Sequence, residues 1–254
     1  MITIIQAIIL GIIQGITEWL PISSSGHLVI FQNLFKITPP VIFDITLHMG
    51  SLIVIITVFW KDILTLIKGV LRKEKTHLKF LGYLIIASIP IAIVGFFLNS
   101  YIKSIFNSLI TVSISLIFTS IILFLTKKAK QNTNLNLKNT YIIGMFQAIA
   151  ILPGVSRSGM TISSGLIQGI KKQEVIKFSF LLFIPAIIGA ALFELKNIGE
   201  ITNMTPMIIG TLAAIITGFL SLKILLKIIR NNKLSYFGWY CLALGTILLA
   251  ISVF

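Results

Sequence analysis

The chain has 254 residues, 56% of them hydrophobic and only 11% charged, with a formal net charge of +14. A soluble domain carries roughly a quarter charged residues, so a soluble globular protein is excluded, and with it the nucleic-acid partner that a strong positive charge would suggest in one. Cys241 is the single cysteine, which excludes an intrachain disulfide and a cysteine-based metal site.

Apolar stretches of about 20 residues, each long enough to cross a ~30 Å hydrocarbon core, recur along the sequence. They predict an all-α polytopic membrane protein. The N-terminus has no basic n-region and no small-residue cleavage site, so residue 1 is expected to belong to the mature fold. The first apolar piece, 2–36, is broken by "EWLPISSSGH" at 18–27. Pro21 interrupts a helical ladder, so the piece reads as a re-entrant helix–loop–helix hairpin. A serine of the tip (Ser23, Ser24 or Ser25) can cap the returning helix, which starts near Gly26. Gln14 and Glu18 are four apart and point two oxygen ligands the same way. Beside a phosphate, such ligands suit a weakly bound Mg²⁺ or Ca²⁺ that takes substrate oxygens for the rest. Otherwise Glu18 is neutral and packed against the loop. His27 follows Ser24 by three residues on the same helix face, a spacing that lets an imidazole move a hydroxyl proton or attack phosphorus itself. Otherwise it is a hydrogen-bonded filler.

Six full spans then fit at 42–60, 80–98, 107–126, 176–195, 206–227 and 235–253. In the first, Asp44 and His48 either line the mouth of a site or hold the span as an i,i+4 pair. His77, within "RKEKTHLK" at 72–79, reads as a solvated loop residue. The polar stretch "KKAKQNTNLNLK" at 127–138 divides the chain. The second broken apolar piece, 139–170, is interrupted by Pro153 and Gly154 and forms a second re-entrant hairpin. Ser156 or Ser158 can cap its returning helix. Two helix N-termini meeting at the midplane would suit an anion with many oxygens. Arg157 adds a guanidinium that forks onto phosphate. An Arg at that depth costs roughly 2.5–3.5 kcal/mol without a partner, and the partner is either that anion or Glu18 in a structural salt bridge. Trp19, Trp60 and Trp239 read as interface or packing residues.

Segments 61–79, 127–138, 171–177 and 223–233 hold 17 of the 21 Lys and Arg residues, while Lys36, Lys103 and Lys196 fall on the other side and Arg157 within a hairpin. Six spans and two re-entrant hairpins place the 17 together, on the cytoplasmic side, with both termini outward. The halves are also alike. "GIIQGITEWLPISSSGH" (11–27) aligns without gaps to "GMFQAIAILPGVSRSGM" (144–160), "FDITLHMGSL" (43–52) to "FSFLLFIPAI" (178–187), and "IVGFF" (93–97) to "ITGFL" (216–220). The expected organisation is one membrane domain: a first repeat at 1–126, a cytoplasmic linker at 127–138 and a second repeat at 139–254. Three spans per half insert the second copy upside down, which is an inverted-topology repeat with its site at the midplane.

The motifs "QGITEWLPISSSGHL" (14–28) and "LPGVSRSGMTI" (152–162), with "FSFLLFIPA" (178–186), resemble those of the bacterial undecaprenyl-diphosphate phosphatases, also called bacitracin-resistance proteins. The similarity runs over essentially the whole chain. It implies hydrolysis of undecaprenyl diphosphate to undecaprenyl phosphate and inorganic phosphate, which recycles the lipid carrier for peptidoglycan and cell-wall biogenesis. It implies a multi-pass protein of the bacterial cell membrane with an outward-facing site. By resemblance Glu18, Ser24, His27 and Arg157 are the catalytic residues, with Ser23, Ser25, Ser156 and Ser158 beside Arg157 on the phosphates. Gln14 stands where many members have Glu, which leaves Glu18 as the main anionic metal ligand. Whether Ser24 or His27 is the nucleophile, or water attacks directly, stays open. The expected partners are the polyprenyl diphosphate, the membrane and a second copy of the chain, with no nucleic acid. The rival is a flippase or transporter of an anionic polyprenyl phosphate lipid, because inverted repeats and half-helix N-termini are also transporter features.

Overall fold

The computed structural model describes residues 2–129, 132–194, 204–231 and 233–253. Lys130 and Lys196 of the charge count lie outside the described residues. Thr3 starts the first helix, α1 (Ile4–Trp19), through a reciprocal capping box with Gln6. The chain turns at Pro21 and returns as α2 (Ser24–Leu34). Next come α3 (Val41–Val58), α4 (Trp60–Leu71), α5 (Lys75–Phe97), α6 (Asn99–Ile105) and α7 (Leu109–Leu125). The second half contains α8 (Leu137–Ile149), α9 (Arg157–Ile167), α10 (Lys172–Glu194), α11 (Thr205–Arg230) and α12 (Tyr236–Val253). Among the described residues the only β-type pairing is one isolated bridge between Thr133 and Ile170.

Among the described residues five helices, α3, α5, α10, α11 and α12, are long and apolar enough to cross a membrane. The sixth predicted span is α7, one residue short of that length at 17, and it meets α6 at a bend of 102°. The fold is therefore an all-α polytopic membrane protein. The stretch 61–79, expected as a basic loop, is instead α4 and the first turn of α5. Its apolar residues Ile63, Leu66, Ile67 and Val70 recur at helical spacing between Lys61, Asp62 and Lys68, which makes α4 an amphipathic helix. His77 accordingly lies in the first turn of α5, its Nδ1 2.8 Å from Glu74 Oε2.

The bundle is held by close helix crossings at small residues. Between membrane helices lipid is as apolar as leucine, so approach distance rather than hydrophobicity decides packing. α1 runs against α11, α8 against α5, and α7 against α12. At Gly11 an added Cβ would collide with the Gly210 carbonyl, and at Gly144 with that of Ala87. Gly11 aligns with Gly144, and Ala87 falls on Gly210 in the register that aligns 93–97 with 216–220. The two crossings therefore use equivalent positions of the two halves. The polar stretch between the halves is partly docked: Thr133 N–H donates to the Gly169 carbonyl at 2.8 Å, and Leu135 N–H to the Glu174 carboxylate at 3.0 Å. Segments 61–79 and 171–177 meet through Lys177 and Asp62 at 2.6 Å.

Candidate active site

Both hairpins turn back on a serine cap. Ser23 Oγ accepts the Gly26 N–H at 3.2 Å and Ser156 Oγ accepts the Gly159 N–H at 3.1 Å. Each cap has a second hydroxyl beside it, Ser25 at 3.2 Å and Ser158 at 3.3 Å. The two tips touch. A Cβ on Gly26 would lie 3.0 Å from Gly154 Cα, and one on Gly159 3.3 Å from Pro21 Cβ. The N-termini of α2 and α9 thus begin side by side, with their free N–H groups and partial positive charge near one place.

Each tip also contains a residue at positive φ, and the two halves place it differently. In the second hairpin it is Gly154, at φ 91°. The aligned residue in the first hairpin is Pro21, whose ring fixes φ near −65°. There the positive φ falls on Ser23, at φ 70° and ψ 102°, a conformation that costs a non-glycine residue about 1–3 kcal/mol. Its counterpart Ser156 sits at an ordinary extended φ −80°, ψ 117°.

Ser24 and Arg157, the first residues of α2 and α9, converge on Glu18. The Ser24 hydroxyl donates to Glu18 Oε2 at 2.5 Å, and Arg157 Nη2 to Oε1 at 2.8 Å. Gln14 Nε2 donates to Oε2 at 3.0 Å and to Ser51 Oγ at 3.5 Å. A carboxylate only 7% exposed would be costly alone, and here both oxygens have donors and one a cation. The Arg157 guanidinium lies on the Phe183 ring, Cζ 4.0 Å from its centroid. Its Nη1, and the Oε1 of Gln14, are buried without a hydrogen-bond partner. The salt bridge between Glu18 and Arg157 is therefore real, yet it occupies only one arm of the guanidinium.

The two histidines stand differently from their sequence spacing. His48 Nε2 comes within 3.6 Å of Glu18 Oε2, and its Nδ1 lies 2.8 Å from the Asp44 carbonyl, so it edges the cluster. The Asp44 carboxylate accepts from Gln32 Nε2 at 3.1 and 3.4 Å. His27 has both nitrogens engaged elsewhere, Nδ1 at 2.7 Å from the Ser23 carbonyl and Nε2 at 2.7 Å from the Tyr240 hydroxyl. A carbonyl only accepts, so Nδ1 carries the proton and Nε2 accepts from the phenol. The expected proximity of His27 to Ser24 produces no hydrogen bond, because the Ser24 hydroxyl turns to Glu18.

The chain matches the family described as Bacitracin resistance protein BacA over residues 7–247. It belongs to that family. It is 40% identical to the undecaprenyl-diphosphatase of Methanobrevibacter smithii, with 98% of each chain covered. It is also 40% identical to that of Korarchaeum cryptofilum, over 98% of this chain and 99% of the other. The undecaprenyl-diphosphatase of Carboxydothermus hydrogenoformans is 39% identical, over 97% and 96%. The matched region of this BacA-family chain includes both hairpin tips and every residue of the Glu18 cluster. Three members of the site escaped the motif reading. Ser51 and Phe183 lie within the aligned blocks 43–52 and 178–187, but nothing in their residue type marks them. Tyr240 is 213 positions from His27, and no local pattern could join them.

Proposed function

We propose that this protein hydrolyses the terminal phosphate of undecaprenyl diphosphate, releasing undecaprenyl phosphate and inorganic phosphate, and so returns the lipid carrier to peptidoglycan synthesis and confers bacitracin resistance. The observation that carries this reading is the convergence of Ser24 and Arg157 on Glu18 at two adjoining helix N-termini. The relatives' shared name, undecaprenyl-diphosphatase, supplies the substrate.

Ser24 is the attacking group, with Glu18 as its base. The Ser24 oxygen bonds to the terminal phosphorus while its proton passes to Glu18 Oε2. The bond from that phosphorus to the bridging oxygen breaks, and the lipid monophosphate leaves with the electron pair. Water then attacks the phosphoseryl phosphorus. The Ser24 oxygen leaves and recovers its proton from Glu18, and the second proton of the water goes to a phosphate oxygen. The unpartnered Arg157 Nη1 and the N–H groups opening α2 and α9 hold the charge that spreads over the phosphoryl oxygens. Positioning and electrostatics supply most of such a reaction.

The site would hold a divalent cation, Mg²⁺ or Ca²⁺, only weakly and together with the diphosphate. Among the described residues no three His, Cys, Asp or Glu side chains form a cluster able to hold a metal, so those residues build no closed cage. The orphaned Gln14 Oε1 and a remaining lone pair of Glu18 are oxygen donors of the type such ions take and would hold it, with substrate and water supplying the other ligands. Bound there, the ion would neutralise diphosphate charge. The site opens outward from the cell membrane in an inverted-topology repeat, a layout supported by the positive-inside count and by the equivalent crossings at Gly11 and Gly144. A flippase would need Arg157 and the helix N-termini but has no use for a hydroxyl set against Glu18.

Purified protein in detergent with undecaprenyl diphosphate should release phosphate, stop with EDTA and resume with Mg²⁺ or Ca²⁺. Ser24→Ala should lower kcat at least about 10²-fold, the low end for loss of an acid–base or nucleophilic group. Ordinary turnover by Ser24→Ala would remove the mechanism, and full activity in chelator would remove the metal.

A further inference from the structure

The strained residue of the first tip and the two engaged nitrogens of His27 form one arrangement. Ser23 is held at φ 70°, and its carbonyl accepts twice from the same residue: the His27 ring Nδ1–H at 2.7 Å and the His27 backbone N–H at 3.2 Å. The ring is fixed from its other side by Tyr240 of α12, whose hydroxyl donates to Nε2 at 2.7 Å and whose ring lies within 9° of parallel. The second hairpin has the reverse combination. Met160 stands where the first has His27, and the cap residue Ser156 is unstrained at φ −80°. Strain at the cap occurs where an imidazole is present to hold it.

We propose that Tyr240, His27 and the Ser23 carbonyl form a clamp that holds the first tip in its strained conformation, and that this sets the Ser24 hydroxyl on Glu18. Tyr240 and His27 are then positioning residues. Ser23 and Ser24 are joined by one peptide unit, so the backbone angles of Ser23 fix where Ser24 points. Relaxing Ser23 to negative φ would swing the first turn of α2 and withdraw the Ser24 oxygen from the carboxylate. Pro21 denies this tip the solution the other one uses, a glycine at the turn. An acid–base part for His27 would need a free Nε2 lone pair or a mobile Nδ1 proton. Tyr240 takes the first and the Ser23 carbonyl the second.

The clamp's effect on turnover rests on the phosphatase reading; its geometry does not. The test compares Tyr240→Phe in two backgrounds, wild type and Ser23→Gly. Phenylalanine keeps the ring on α12 and loses the donor alone. In the wild-type background we expect kcat to fall about ten-fold with KM nearly unchanged, the scale of one buried hydrogen bond. In the Ser23→Gly background the same substitution should cost less than about two-fold, because glycine adopts positive φ without a clamp. Equal losses in both backgrounds would overturn the clamp and return His27 to proton transfer. A second readout does not use turnover: ¹⁵N shifts of the His27 ring in lipid nanodiscs, assigned with His27→Gln. They should show the Nδ1–H tautomer in wild type and a tautomer mixture in Tyr240→Phe. An Nε2–H tautomer in wild type would sink the proposal even if no phosphate were ever released, whereas the expected spectrum with no phosphate release would count against the phosphatase reading alone.

Discussion

Arg157 carries two loads through one planar group. Nη2 neutralises Glu18 at 2.8 Å, the flat face rests on Phe183, and Nη1 is left as a donor aimed at no protein atom. A lysine would keep the charge but would supply neither the fork nor the flat face. Arg157→Lys should therefore lose nearly as much kcat as Arg157→Ala, measured by phosphate release from the lipid diphosphate. A lysine variant within about two-fold of wild type would mean that charge alone suffices and that the planar geometry contributes little. The same pair makes a stability prediction. Glu18→Gln leaves a buried cation half-paired, and breaking a buried pair from one side costs about 3–5 kcal/mol. The double variant Glu18→Gln with Arg157→Gln should melt above Glu18→Gln alone in detergent, since it buries no unpaired charge. A double variant melting lower would show that the pair contributes net stability.

The helices meet where small residues allow it. Gly11→Ala would drive its Cβ into the Gly210 carbonyl and Gly144→Ala into that of Ala87, whereas a Cβ on Gly82 meets nothing within 4 Å. Both close-contact substitutions should destabilise by about 1–3 kcal/mol, the usual cost of overpacking. Gly82→Ala should be neutral or slightly stabilising, as alanine favours helix over glycine. Thermal melts of the three variants decide it, and equal behaviour of Gly11→Ala and Gly82→Ala would mean α1 and α11 are not in close contact. Elements of this kind show how far the sequence could be read. Both hairpins, their serine caps and five of the six spans, with α7 one residue short as the sixth, were legible because proline, glycine and an apolar period mark them locally. The convergence of Gln14, Glu18, Ser24 and Arg157 was legible because the same motifs carry all four. The amphipathic α4 was missed because its lysines read as a loop when counted for charge and not for period. The turn of His27 away from Ser24 was not legible either. It depends on the positive φ at Ser23 and on a tyrosine at the far end of the chain, and neither leaves a mark in local spacing.

At the scale of the whole molecule, two ion pairs bear on sidedness. The basic segments 61–79 and 171–177 are joined by Lys177 and Asp62 at 2.6 Å, so they lie at one end of the bundle. Lys103, which the charge count assigns to the opposite side, pairs with Glu194 at 2.8 Å; Lys177 and Glu194 lie toward opposite ends of the 23-residue α10, a separation of about 25 Å at 1.5 Å per residue. The two ion pairs are therefore markers for opposite faces. The positive-inside rule puts the Lys177 end in the cytoplasm and the Lys103 end outside. Cys241 is buried, with its thiol 3.5 Å from the Pro21 carbonyl, so Cys241→Ser gives a background without native thiols that keeps a donor to that carbonyl. In it, Lys103→Cys should react with a membrane-impermeant maleimide in intact cells, and Lys177→Cys only after the cells are broken. The reverse pattern would turn the molecule over and put the Lys103 end in the cytoplasm.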